Sequence, residues 1–238
     1  MPGMDLLLRL LIAHVIGDFL LQPGGWVRER KVKHFLSPSL HIHGVLHGVL
    51  ALLALGELSH WPLALIVAIT HIAIDLLKSY QNAKSTKWFV ADQALHALVL
   101  FGVWAWASGY APAGDLRSVW YDESTLAVIL VVLLLTRPTG FFIGVFTGRW
   151  SKELGERKDN LPNAGLWIGI IERLLILTFV LGGLMEAVGF LLAAKSVFRF
   201  GDLRDDQDRK RTEYVLIGTL LSFGIAIGVS LWARSMIG

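Results

Sequence analysis

The chain has 238 residues, of which 54% are hydrophobic and only 17% charged, and its formal net charge is +3. A soluble domain of this length carries about a quarter charged residues, so the composition excludes an ordinary soluble protein. Cys is absent, which excludes disulfides and thiolate metal sites, and the scattered basic residues give no reason to expect a nucleic-acid partner.

Apolar runs recur along the whole chain, and several reach the ~20 residues that a membrane-spanning helix needs. They cover residues 4–21, 40–58, 61–77, 90–107, 124–136, 166–181, 184–198 and 214–233. The sequence therefore predicts an all-α fold, a polytopic transmembrane helical bundle with about eight membrane segments, within a range of six to eight. The expected surroundings are a lipid bilayer.

The loops between these runs alternate in charge. Four of them, near residues 22–39, 78–89, 148–163 and 195–213, carry four, three, four and six Lys or Arg residues. The intervening loops carry none, one and none. By the positive-inside rule, this alternation predicts that the basic loops face the cytoplasm and that both termini lie outside it.

Two places in the later runs are expected to depart from a simple span. Pro138 in the stretch "TRPTG" removes a backbone donor and should break the fifth run. Residues 166–198 form either two spans, one broken helix or a re-entrant hairpin. We divide the chain into a His/Asp-rich four-helix core at 1–110 and carboxyl-terminal helices at 111–238, and we expect the two parts to form one integrated membrane domain.

All eight histidines lie in the first 96 residues, and four consecutive runs each carry polar groups at helical spacing. Residues four apart lie on one face of a helix. The alternating topology places these groups at the same depth, one or two turns inside the cytoplasmic border. The candidate metal ligands are His14, Asp18, His43, His47, His71, Asp75, Asp92 and His96.

Imidazole and carboxylate groups facing inward from a four-helix core are how helical bundles build metal sites. This ligand set suits a divalent zinc, manganese or iron ion, with zinc favoured, and it has room for one ion or for two. Lys78 lies one turn nearer the cytoplasm, where it is placed to meet an anionic group. Gln22 and Gln93 are expected to orient the ligands.

Each of these residues also has a plainer interpretation. A single His near a helix end is more often hydrogen-bonded than a ligand, and Lys78 alone would be a membrane-border anchor. His34 and His60 are assigned to loops without a role, and His41 is ambiguous. In the carboxyl-terminal half, Glu172, Arg173, Lys195 and Arg199 form either an anion-binding vestibule or a structural network, and the structural interpretation is favoured.

Four amino-terminal stretches carry a family resemblance: "LLIAHVIGDFLLQ", "HGVLHG", "HIAIDLLK" and "DQALHAL". Together they resemble an uncharacterised family of bacterial integral membrane proteins classed as a domain of unknown function. The stretches "GLWIGIIERLL", "AAKSVFRF" and "EYVLIGTLLSF" are similar to its longer members. The His/Asp spacing is also loosely similar to membrane-bound metal-dependent hydrolases. The resemblance implies a bacterial inner membrane protein and brings no established activity.

We therefore expect a metal-dependent membrane hydrolase that acts at the cytoplasmic face on a lipid-like or phosphorylated substrate. Its catalytic residues would be Asp75, Asp18 and Lys78, with one carboxylate as general base and Lys78 holding the substrate anion. The alternative is a transporter or channel that uses the His/Asp set for a metal ion or protons. A scaffold stabilised by a bound metal is a third possibility.

Overall fold

The computed structural model of this chain describes residues 3–82, 85–110, 122–151, 163–200 and 206–238, which are almost entirely helical and contain no β-strand. Its α-helices are α1 (Met4–Val15), α2 (Gly24–Lys33), α3 (Pro38–Leu55), α4 (Trp61–Ser79), α5 (Thr86–Tyr110), α6 (Glu123–Leu134), α7 (Arg137–Ser151), α8 (Ala164–Leu181), α9 (Met185–Phe200) and α10 (Asp206–Ile237). A π-helix, Ile16–Leu20, follows α1, and 3₁₀-helices occupy His34–Leu36 and Leu58–His60. The predicted all-α fold is confirmed.

Among the described residues, six helical segments are by length and composition able to cross a membrane. They are Pro38–Leu55, Leu58–Ser79, Thr86–Gly109, Glu123–Ser151, Ala164–Leu181 and Lys210–Ile237. The polytopic membrane fold is therefore confirmed, with the count at the lower end of the predicted range. The predicted runs at 4–21 and 184–198 form shorter elements, since α1 has 12 residues before its π-helix and α9 has 16.

Some predicted features fall on residues that the structure leaves out. The weakly charged loop at 111–121 and most of the basic loops at 152–162 and 201–205 lie outside the described residues, as does Lys84. The described chain divides into two compact units, Met1–Leu133 and Leu134–Gly238. The predicted boundary at residue 110 stays a prediction. The same is true of the expectation that both parts form one integrated membrane domain.

The segment at 22–39, predicted as a loop, contains helix α2, which packs against α3 and α4. Its polar composition hid it, because the sequence there has no apolar stripe of helical period.

In the first unit, helices α1, α3, α4 and α5 pack around one apolar cluster. The cluster contains Leu6, Leu10, Ala51, Ala54, Leu55, Leu63, Val67, Leu100, Val103 and Ala107. These residues occupy the start of α1 and α4 and the end of α3 and α5, so they share one end of an antiparallel bundle. The His and Asp residues lie at the opposite end of the same four helices, toward the end of α1 and α4 and near the start of α3 and α5.

Two glycines let α3 and α4 approach closely. A Cβ at Gly48 would lie 2.9 Å from Cβ of Ala68 and 3.1 Å from the carbonyl oxygen of Ala64. A Cβ at Gly44 would collide with the side chain of Ile72. Small residues four apart permit this kind of backbone approach between membrane helices. The close contact brings the histidines of α3 against those of α4.

In the second unit, the predicted break is present at Leu135–Thr136, between α6 and α7. Pro138 has no N–H for the Leu134 carbonyl, and the hydroxyl of Thr139 donates to that oxygen instead at 2.6 Å. Arg173 Nε donates to the Leu135 carbonyl at 2.6 Å, and its Nη2 donates to Thr136 at 3.0 Å. A break at membrane depth requires such partners, and side chains of the same unit supply them.

Among the described residues of this unit, Glu172 and Arg173 also have partners. Lys195 Nζ donates to Glu172 Oε2 at 2.5 Å, and Arg173 Nη1 donates to the Ser222 hydroxyl at 3.3 Å. Ser222 and Thr219 are buried where α10 packs on α8. These contacts are those of a structural network. Arg199 side-chain contacts lie outside the described residues.

Candidate metal centre

Asp18 lies in the π-helix that continues α1. Leu21 N–H donates to the Ile16 carbonyl at 3.0 Å, five residues back, which marks the wider turn. Short π-helical turns of this kind recur at functional sites because they redirect one side chain without ending the helix. Here the turn places Asp18 Oδ2 3.7 Å from His14 Nε2 and directs the carboxylate toward α3, α4 and α5.

Three further imidazoles surround the same carboxylate. Asp18 Oδ1 lies 3.1 Å from His47 Nε2, 3.2 Å from His43 Nε2 and 3.4 Å from His71 Nε2. The rings of His47 and His71 stack with their centroids 3.6 Å apart and their planes 15° apart. Helices α3 and α4 thus converge on one oxygen atom of Asp18.

Helix α5 completes the arrangement with His96, whose ring lies 5.0 Å from that of His14 and 4.2 Å from that of His71. His96 Nδ1 lies 2.9 Å from the backbone carbonyl of Asp92, to which it donates. Metal-ligating histidines use such a bond to fix the ring and to leave the other nitrogen free. His96 Nε2 is therefore the available ligand atom.

The most informative feature is the absence of ordinary partners at these nitrogens. Within the described part of the chain, Nε2 of His14, His47, His71 and His96 are buried and have no hydrogen-bond partner. Buried polar atoms are normally satisfied, and each one left unpaired costs about 1–3 kcal/mol. Four such atoms pointing into one cluster indicate a ligand that they bind together.

The distances suit a metal ion. Four donors at 2.0–2.1 Å from a tetrahedral zinc ion lie ~3.3 Å from one another. The Asp18 oxygens lie 3.1 to 3.7 Å from Nε2 of His47, His71 and His14. These four residues form one set whose donor atoms are all within 4.8 Å of one another. Two further sets are His43 with His71 and Asp75, and Asp18 with Asp92 and His96.

Asp75 differs from Asp18 because it is already paired. It lies 3.6 Å from His71 Nε2 and 3.7 Å from His43 Nε2, but its Oδ2 also accepts a hydrogen bond from Arg30 Nη1. Arg30 lies on α2 and is only 6% exposed. Arg30 was predicted to be a loop charge, and its contact with Asp75 was not predicted. Trp26, four residues earlier on α2, packs its ring on His43.

The polar residues at the border are likewise engaged. Lys78 Nζ donates to Asp92 Oδ2. Its predicted role in binding a substrate anion stays a prediction. Gln22 Nε2 lies 2.7 Å from His43 Nε2, and Gln93 Nε2 donates to Asp18 Oδ2 at 3.0 Å. Both glutamines therefore contact ligand candidates, in the positions expected of groups that orient them.

The histidines assigned no role lie apart from this cluster. His34 stacks on Tyr80 and bonds the Ser79 hydroxyl at 2.8 Å. His41 bonds the Phe35 carbonyl, and His60 lies 3.7 Å from Glu57. All eight ligand candidates, in contrast, lie in one buried cluster of α1, its π-helix, α3, α4 and α5.

Residues 6–120 match the family described as "Protein of unknown function (DUF3307)". This region of the chain is similar to that family. The predicted resemblance to an uncharacterised family is confirmed, and the matched residues contain every ligand candidate. The match ends before the carboxyl-terminal stretches that shared the resemblance. No curated protein and no solved structure matches the chain.

Gly17 makes room for the His47 ring. A Cβ at this position would lie 2.5 Å from His47 Nε2, closer than any real contact. We expect Gly17→Ala to displace that imidazole and to weaken zinc binding at least tenfold, measured by competition with a chelating dye.

Gly102→Ala is the matched control, because a Cβ there meets nothing within 4 Å. It should leave zinc affinity unchanged and stabilise α5 by up to about 1 kcal/mol. Equal zinc affinity in the two variants would contradict the assigned role of Gly17.

Proposed function

We propose that the region 6–120 binds a divalent metal ion, with zinc favoured, and that the protein is a metal-dependent membrane hydrolase. The observation that carries this proposal is the convergence of unpartnered, buried imidazole nitrogens on the Asp18 carboxylate. A structural histidine cluster would be expected to satisfy its ring nitrogens internally. One bound cation would satisfy those of His14, His47 and His71 at once.

The primary ligands in this proposal are His14, Asp18, His47 and His71, the set whose distances fit tetrahedral coordination. His43 is a weaker candidate, because its Nε2 already contacts Gln22 and Asp18. These four ligands would fill a tetrahedral site, so hydrolysis requires an additional, fifth position for water on the ion. A divalent ion with such an open position would lower the pKa of the bound water to about 7 and supply a hydroxide nucleophile at neutral pH. This chemistry suits hydrolysis of an ester or phosphoester.

Asp75 is the carboxylate best placed to act as general base. It lies beside His43 and His71 but outside the primary set, and Arg30 fixes its position from α2. A general base needs such a fixed position within reach of the proton that it removes. Asp18, by comparison, is surrounded by imidazoles and is better explained as a ligand.

The membrane setting suggests a lipid-like or phosphorylated substrate. The cluster lies at the end of the bundle where α2 and the basic segment 28–33 are found. Anionic headgroups and phosphates are attracted to such segments, and the alternation of basic loops favours a cytoplasmic orientation. A bacterial inner membrane location follows from the family resemblance.

The transport alternative loses one of its supports. Interrupted helices form transport sites when their free carbonyls coordinate ions. At Leu135–Thr136 the carbonyls instead accept hydrogen bonds from Arg173, and the Leu134 carbonyl accepts one from Thr139. The carbonyl groups at the break are therefore hydrogen-bonded within the protein, as in a structural kink.

The test is metal analysis of the full chain purified in mild detergent, followed by two functional assays. We expect at least one equivalent of divalent metal per chain and metal-dependent hydrolysis of phospholipid or phosphomonoester substrates. Asp18→Asn should abolish both. No bound metal after gentle purification would overturn the proposal, and zinc flux into proteoliposomes without hydrolysis would establish transport instead.

A further inference from the structure

The Asp18 carboxylate has different neighbours on its two oxygens. Oδ1 lies within 3.4 Å of His43, His47 and His71, which belong to α3 and α4. Oδ2 accepts a hydrogen bond from Gln93 of α5 at 3.0 Å and lies 3.7 Å from His14. The carboxylate therefore stands between the imidazoles of the primary set and the polar groups of α5.

Helix α5 offers two buried atoms on that side that the primary set does not use. Among the described residues, Asp92 Oδ1 and His96 Nε2 have no hydrogen-bond partner, and the two residues are only 4% and 3% exposed. Asp18, Asp92 and His96 bring their donor atoms within 4.8 Å of one another. Asp92 Oδ1 lies 3.8 Å from His96 Nδ1, so the carboxylate and the ring of these two residues are neighbours. Two buried, unpartnered polar atoms on neighbouring side chains beside the Asp18 carboxylate point to a cation.

The surrounding contacts hold these two atoms ready. His96 Nδ1 donates to the Asp92 backbone carbonyl, which leaves Nε2 as the acceptor. Lys78 and Gln93 both donate to Asp92 Oδ2, which leaves Oδ1 free. Gln93 also donates to Asp18, so one amide joins both carboxylates and fixes their spacing.

We propose that the region 6–120 contains a two-metal site. In this site, Asp18, Asp92 and His96 hold a second divalent cation, and Asp18 bridges the two ions. This inference rests on the first site proposed above. Two-metal hydrolytic sites hold their ions about 3.5–4 Å apart, a spacing that one bridging carboxylate spans. Two carboxylates and one imidazole make the second site richer in oxygen, which suits manganese better than zinc.

The charges indicate what else binds. Three carboxylates, Asp18, Asp75 and Asp92, share the cluster with the cations Arg30 and Lys78. One divalent ion brings this set to a net charge of +1, and a second brings it to +3. An anion with two negative charges, such as a phosphate monoester, compensates the second ion. The second metal should therefore bind more weakly than the first and more tightly when phosphate is present.

The experiment is equilibrium dialysis of the full chain in detergent against Mn²⁺, with and without inorganic phosphate, combined with electron paramagnetic resonance. We expect two Mn²⁺ per chain and an exchange-coupled multiline spectrum in the wild type. Asp92→Asn and His96→Gln should each retain one ion and lose the coupling. Asp122→Asn, at an exposed carboxylate, is the matched control and should keep two ions.

The outcomes separate this inference from the first proposal. A wild type with one Mn²⁺ at saturation and an uncoupled six-line spectrum overturns the second site and leaves the first intact. A wild type with no Mn²⁺ and no other divalent metal overturns both. If Asp92→Asn fails to fold, as judged by gel filtration and circular dichroism, His96→Gln decides, because it leaves the Lys78 ion pair in place. Two coupled ions in a folded His96→Gln protein would also overturn the assignment.

Discussion

His71→Ala should abolish the metal binding proposed for the His/Asp cluster. Among the imidazoles of this cluster, His71 is central, since it lies 3.4 Å from Asp18 and 3.6 Å from Asp75 and stacks on His47. Its loss removes one ligand and also the ring that holds His47 in place. We expect the zinc content of the purified protein to fall from stoichiometric to below a tenth of an equivalent, measured by elemental analysis.

His60→Ala is the matched control, because His60 ends the 3₁₀-helix that directly precedes α4. His60 lies 11 residues before His71, which corresponds to ~16 Å along a helix, and its side chain is near Glu57. It should keep the full zinc content. The interpretation is refuted if folded His71→Ala, with an unchanged circular dichroism spectrum, binds zinc as tightly as the wild type does.

The second large effect is expected in the carboxyl-terminal unit, where Arg173→Met should lower stability strongly. The guanidinium donates to the carbonyls of Leu135 and Thr136 and to the hydroxyl of Ser222. Hydrogen bonds to a charged group each contribute about 1.5–3 kcal/mol, and the carbonyls would be left buried and unpaired. We expect a loss of about 2–5 kcal/mol, or on the order of 10 °C in the melting temperature.

Arg149→Met tests whether this loss comes from the contacts rather than from removing a positive charge. Arg149 is exposed and packs on Trp150 with its guanidinium carbon 3.9 Å from the ring centre. Such an exposed cation–π contact contributes about 0.5–1 kcal/mol. Thermal unfolding in detergent should therefore separate the two variants clearly. Similar melting temperatures would show that Arg173 does not hold the helix break together.

The ligand candidates could be found from sequence because helical spacing is a local property. His14 with Asp18, or His71 with Asp75, share a helix face whatever the rest of the fold does. The alternation of basic loops then placed four such pairs at one depth. The same reasoning found the break at Pro138, since a missing backbone donor is fixed by residue type.

Other features depended on which helices touch, and no local pattern carried them. Arg30 was counted as a loop charge, although α2 folds back and buries it against Asp75. Lys78 was expected to face a substrate, although the packing of α4 on α5 pairs it with Asp92. The π-helix at Asp18 was not predicted, because its wider turn has no marker in "IGDFL".

Hydropathy and the period of a helix are properties of single segments, so the all-α membrane class and the helices that carry imidazole and carboxylate groups can be predicted from the amino-acid pattern. The end of the bundle where those groups lie follows in the same way. The central position of Asp18, with His47 and His71 on one oxygen and Gln93 on the other, depends instead on how distant helices pack. That arrangement depends on the close approach at Gly44 and Gly48 and on the space left by Gly17, and contacts between distant segments set all three.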